Sequence, residues 1–158
     1  MIVGIISDTH GLLRPEAVVA LKDSQLIVHA GDIGAPDVLD RLRAIAPTVA
    51  VRGNVDTGTW AQTLPLTAVV EAGHLQLYVL HDLAALTIDT KAAGFAAVIS
   101  GHTHRPVADV RDGVLYANPG SAGHAVSGFP FPSRDCTLTG RVCLTRSSSF
   151  ARKRVISW

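Results

Sequence analysis

Residues 2–10 read IVGIISDTH, four β-branched residues around a single glycine, closed by Ser7-Asp8-Thr9-His10. The run does not alternate between apolar and polar, so it predicts a strand buried on both faces, which requires further layers on either side. Working outward, residues 25–30 (QLIVHA) form a second short apolar run that stops at Gly31-Asp32, and residues 48–51 lead into Arg52-Gly53-Asn54. Between these runs, Pro15–Leu21 has helical composition with proline at its start. Residues 36–45 (PDVLDRLRAI) carry apolar side chains at 38, 39, 42 and 45, a helical spacing. This βαβαβ alternation predicts parallel strands with crossover helices, and the polar residues gather at the carboxyl ends of the strands, where α/β proteins bind ligands.

The second half uses the same punctuation. Residues 66–70 and 75–80 predict a strand pair around Glu71-Ala72-Gly73-His74, and the second strand ends at His81. Residues 86–93 are expected to form a helix. Residues 96–100 form another apolar strand, ending at Gly101-His102-Thr103-His104, and residues 107–110 and 114–117 make a hairpin about Arg111-Asp112-Gly113. Five apolar strands thus end in groups able to bind a metal.

The chain's 158 residues suit one ordinary domain, and 47% apolar against 17% charged residues excludes a disordered or fibrous chain. No apolar run is long enough for a membrane span, and the first residues lack the basic flank of a signal peptide, so a cytoplasmic location is expected. Cys136 and Cys143 are too few for a disulfide framework or a thiolate metal site. Before Gly123, eight Lys/Arg stand against twelve Asp/Glu; after it, six stand against one. The two parts therefore differ in kind.

Asp8, His10, Asp32, Asn54, His81, His102 and His104 supply seven oxygen and nitrogen donors at or just after strand ends. Each has an ordinary alternative alone: Asp8 as a helix cap, Gly31-Asp32 and Gly53-Asn54 as turns, His81 as a polar strand end. Their joint occurrence after five strands points to a metal centre. Imidazole and carboxylate without thiolate suit Mn, Fe, Zn, Ni or Co, and seven donors exceed the needs of one tetrahedral ion, so two divalent ions fit better. Two dications, Asp8, Asp32 and one bridging hydroxide carry a net +1, which attracts a phosphate anion. Metals about 3.5 to 4 Å apart can clamp a phosphoryl oxygen and ionise a water.

The pattern D-x-H, GD, GN, H, GHxH, running from Ile2 to Ser121, resembles the calcineurin-like metallophosphoesterase superfamily, and within it the small bacterial and archaeal phosphodiesterases of the YfcE/MJ0936 type. The resemblance implies a four-layer α/β/β/α sandwich. It implies a first metal on Asp8, His10 and His104, a bridging Asp32, and a second metal on Asn54, His81 and His102. Asp8, His10, Asp32, Asn54 and His102 are the residues expected to carry catalysis. Manganese is the expected ion, with Fe, Zn, Ni or Mg as alternatives, and the expected substrate is a small phosphate ester, attacked by metal-bound hydroxide. A homo-oligomer is implied by resemblance alone. Two positions depart from the pattern. Val55 stands where many members carry a histidine that protonates the leaving group or steadies the phosphate, and Asp82 follows His81 where glycine is commoner; its carboxylate is expected to face solvent. His29 reads as a core histidine or one that supports the ligands. Arg52, Arg105 and the Asn118-Pro119-Gly120-Ser121 turn, which resembles the family's closing turn, are left outside the catalytic set.

The domain is therefore placed at residues 1–123, and 124–158 form an atypical basic tail where the family would continue with strands completing the second sheet. Pro130, Pro132 and Ser147-Ser148-Ser149 argue against central strands. Residues 123–138, written in GC-rich codons and read from the last base of the Gly123 codon, give PRRFRLPVSVTRL, which resembles the expected segment. A shifted reading frame after about Gly123 is the expectation. Its rival is a functional basic tail around Arg152-Lys153-Arg154. Two other readings compete with the enzyme. One is a protein-binding scaffold, since a retromer subunit shares this fold. The other is a nucleic-acid-binding module, disfavoured by the acidic balance of the motif-bearing part.

Overall fold

The computed structural model describes residues 1–123 and the backbone of two strands at 140–143 and 154–157. Strands β1 (Ile2–Ile6), β2 (Leu26–His29) and β3 (Thr48–Ala50) lie parallel, as their crossover helices require. The sheet continues with β9 (Gly140–Cys143) and β10 (Arg154–Ser157) in the order β10-β9-β1-β2-β3. A second sheet has the order β4-β5-β6-β8-β7, built from β4 (Thr67–Ala72), β5 (Leu75–Leu80), β6 (Ala97–Ile99), β7 (Val107–Arg111) and β8 (Val114–Asn118).

The two sheets enclose a core of Val3, Ile5, Val28, Leu77, Val79, Ile99 and their neighbours. On the outer face of the first sheet, α1 (Pro15–Leu21), α2 (Pro36–Arg43) and the short α3 (Thr59–Gln62) pack over Ile6 and Ile27 through Leu21, Val38, Leu42 and Trp60. Gly4 interrupts the opening run because α1 lies so close that a Cβ there would come within 2.5 Å of Leu21 Cδ2. Leu80, Val98 and Val114 form a smaller cluster on the other face of the second sheet, under Leu83 and Leu86. The result is the expected α/β/β/α layering, with a thin fourth layer.

That fourth layer corrects one expectation. Residues 86–93 do not form a helix: a 3-10 helix spans Leu83–Ala85, and turns follow at 90–94. Asp89 Oδ1 accepts hydrogen bonds from the Lys91 and Ala92 amides at 3.1 and 2.9 Å, a local arrangement that competes with helix propagation. A second correction concerns the tail. Its two strands extend the first sheet, β9 pairing antiparallel with the free edge of β1, rather than completing the second sheet. The prolines at 130 and 132 and the serines at 147–149 lie outside the described residues. No described helix is long and apolar enough to cross a membrane.

Candidate metal centre

The topology brings the seven donors to one end of the molecule. Asp8 and His10 follow β1, Asp32 follows β2, Asn54 follows β3, His81 follows β5, and His102 and His104 follow β6. Amide-to-carbonyl bonds join the loops in pairs: Asp8 to Gly31 at 3.0 Å, His10 to Asp32 at 3.0 Å, and Gly101 to His81 at 2.9 Å. Across the two sheets, the His102 amide donates to Asp8 Oδ2 at 3.2 Å. Asp8, His10, Asp32, His102 and His104 have φ between 49° and 68°, a left-handed conformation that costs a non-glycine residue about 1–2 kcal/mol. Such strain persists where the surroundings over-determine it, as the paired loops do here. Gly53 shows how close the packing is, since a Cβ there would collide with the backbone and carboxylate of Asp32.

The side chains fall into two groups that share Asp32. In the first, ligand atoms of Asp8, His10, Asp32 and His104 all lie within 4.8 Å of one another. His104 Nε2 is 3.2 Å from both His10 Nε2 and Asp8 Oδ1. In the second, Asn54 Oδ1 lies 3.0 Å from both His81 Nε2 and His102 Nδ1, and His81 Nε2 is 3.3 Å from Asp32 Oδ1. The His81 ring is fixed from behind: its Nδ1 lies 2.7 Å from the Ala30 carbonyl and donates to it, which turns the Nε2 lone pair toward Asp32 and Asn54. Asp8, Asp32 and His81 form a buried floor, while Asn54 and His102 are exposed at the mouth.

This electrostatic arrangement fits a cation. Asp8 is completely buried, and its Oδ1 has no hydrogen-bond partner. Burial pushes its carboxyl above the ordinary carboxylate range, against the lowering effects of the Ser7 hydrogen bond and of His81 and His104. An orphaned carboxylate oxygen facing imidazole nitrogens is costly alone and is resolved by a positive ion among those lone pairs.

Comparison with known proteins agrees with this chemistry. Residues 1–135 match the calcineurin-like phosphoesterase superfamily domain. The chain belongs to that superfamily. It is 36% identical over 133 residues to a Methanothermobacter thermautotrophicus protein named probable metallophosphoesterase, with 77% of each chain covered. It is 29% identical over 154 residues to phosphodiesterase YfcE of Escherichia coli strain K12, covering 78% of this chain and 80% of that one. The solved Entamoeba histolytica Vps29 complexed with zinc superposes with a TM-score of 0.74 at 21% identity, covering 99% of each chain, a likeness of fold.

Other positions in this calcineurin-like domain take distinct places. Val55 is exposed, and its amide donates to Asp32 Oδ1 at 3.0 Å. The Asp82 carboxylate caps the 3-10 helix by accepting from the Ala84 amide at 2.9 Å. Arg105 and His74 are exposed. The Asn118-Pro119-Gly120-Ser121 turn braces the site: Asn118 Nδ2 donates to the Gly101 carbonyl at 2.6 Å, and the Ser121 hydroxyl donates to the Asp8 carbonyl at 2.9 Å. Sequence reasoning missed Asp56, whose carboxylate accepts from the Gly34 and Gly53 amides, both at 2.8 Å, and ties the loops of Asp32 and Asn54 together. Its signal was an acidic residue two positions after Gly53-Asn54.

Proposed function

We propose that the protein is a phosphoesterase that holds two divalent cations, most favourably manganese, and hydrolyses small phosphate esters. The observation carrying this reading is the convergence of Asp8, His10, Asp32 and His104 ligand atoms within 4.8 Å, beside a second group that shares Asp32. Asp8, His10 and His104 would hold one ion, Asn54, His81 and His102 the other, and Asp32 both. When bound, such ions polarise a phosphoryl oxygen and lower the pKa of water. The chain's own residues do the rest. The buried carboxylates of Asp8 and Asp32 set the charge of the floor, and the Ala30 carbonyl fixes the tautomer and aim of His81. Asn54 and His102, at the mouth, face an entering phosphate. Val55 offers no proton to a leaving group, and a general acid is typically worth about 10² to 10⁴-fold in rate. Esters whose leaving group departs unaided are therefore the favoured substrates, ahead of alkyl monoesters.

A cytoplasmic protein that assembles with its own copies belongs to the same reading, and no role in it falls to a membrane or to nucleic acid. Bis-p-nitrophenyl phosphate, assayed with and without Mn²⁺ beside Asp32→Asn, tests the proposal. Hydrolysis stimulated by the metal and lost in the variant is the expected result. A folded wild type that turns over nothing with any divalent ion would instead mark a protein-binding scaffold.

A further inference from the structure

His29 and Thr9 are completely buried directly beneath the candidate centre, and neither belongs to the ligand set. The Gly31 amide can only donate, and it points at His29 Nδ1 at 3.2 Å, so Nδ1 accepts and the ring proton sits on Nε2. Nε2 lies 2.9 Å from Thr9 Oγ1 and donates to it, and the threonine hydroxyl in turn donates a hydrogen bond to the Ile33 carbonyl at 2.9 Å. Every polar atom of this relay is satisfied in one direction only. Thr9 stands between Asp8 and His10, and Ile33 follows Asp32, so the relay joins the backbone of three candidate ligands, all in the left-handed conformation. Burial holds His29 neutral, its pKa lowered to about 3, which preserves the single proton the relay needs.

We propose that His29, acting through Thr9, is a positioning residue that holds Asp8, His10 and Asp32 in the geometry needed to bind metal. This rests on the two-cation reading above. Calorimetric titration of MnCl₂ into the chelator-stripped full chain tests it, with circular dichroism as the control for folding. Thr9→Val removes the hydroxyl at nearly constant shape, and His29→Asn keeps an acceptor for Gly31 while withdrawing the donor to Thr9. Each should weaken Mn²⁺ binding about 10 to 100-fold, as loss of a group supporting metal ligands typically does, while Thr9→Ser restores near wild-type affinity. If Thr9→Val fails to fold, His29→Asn with Thr9→Ser carries the test. Wild-type affinity in Thr9→Val and His29→Asn, even with a lowered apo melting temperature, would overturn the positioning role. So would a Thr9→Ser variant that binds as weakly as Thr9→Val. A wild type that binds no Mn²⁺ would overturn the two-cation reading itself.

Discussion

At the scale of single residues, the centre combines groups that burial pushes in opposite directions. Burial raises the pKa of Asp8 and lowers that of His29, because in each case it disfavours the charged form. For His29 the folded value of about 3 lies below the ordinary 6.5, despite the opposing field of Asp56. Above pH 6.5 both the folded and the unfolded chain carry a neutral ring, and the stability is intact. As the pH falls through 6.5 toward 3, the unfolded chain takes up a proton that the native state refuses. Stability then declines by up to about 1.4 kcal/mol per pH unit from this group. Asp8, whose pKa burial raises, contributes with the opposite sign. Urea unfolding of chelator-treated protein should show wild type losing more stability than His29→Asn between about pH 6.5 and pH 4.5. Parallel pH profiles would contradict the buried, neutral assignment.

At the scale of elements, the site consists of loops that stay aligned because the strands feeding them are parallel and their tips are hydrogen-bonded to one another. Gly53 is one of the tight joints, since any Cβ there would meet Asp32. Gly53→Ala should therefore destabilise the fold by about 1–3 kcal/mol, the usual cost of overpacking, and weaken Mn²⁺ binding as well. Urea unfolding and metal titration check both, and a variant unchanged in either would show that the loop relaxes freely. Much of this level was legible in the sequence. Short β-branched runs ending in Asp8, Asp32, Asn54, His81 and His102 mark strand and site together, and Pro15 and Pro36 mark both helix starts where the structure has them. The turns that stand in place of the helix expected at 86–93 were not legible, because they depend on the side chain of Asp89 satisfying nearby amides. Nor was Asp56, whose role depends on a contact with Gly34 made only in the folded chain.

At the scale of the whole molecule, the described residues of the core between the sheets and of the helix-covered face lie before Gly123, as do all seven candidate ligands. The tail differs in charge and composition, and which sheet its strands would join was not readable from a segment without alternating pattern. We propose that the chain after about Gly123 is translated out of its ancestral frame. The coding sequence decides this: an open alternative frame with strand-like alternation is expected, and early stop codons or no such pattern would contradict it. Whether seven side chains from two sheets gather around two cations is decided by crystals grown or soaked with Mn²⁺ and examined by anomalous scattering. Two peaks are expected. One should be bonded to Asp8, His10 and His104, the other to Asn54, His81 and His102, with Asp32 reaching both. A single peak, or peaks away from these residues at saturating metal, would contradict the two-cation reading.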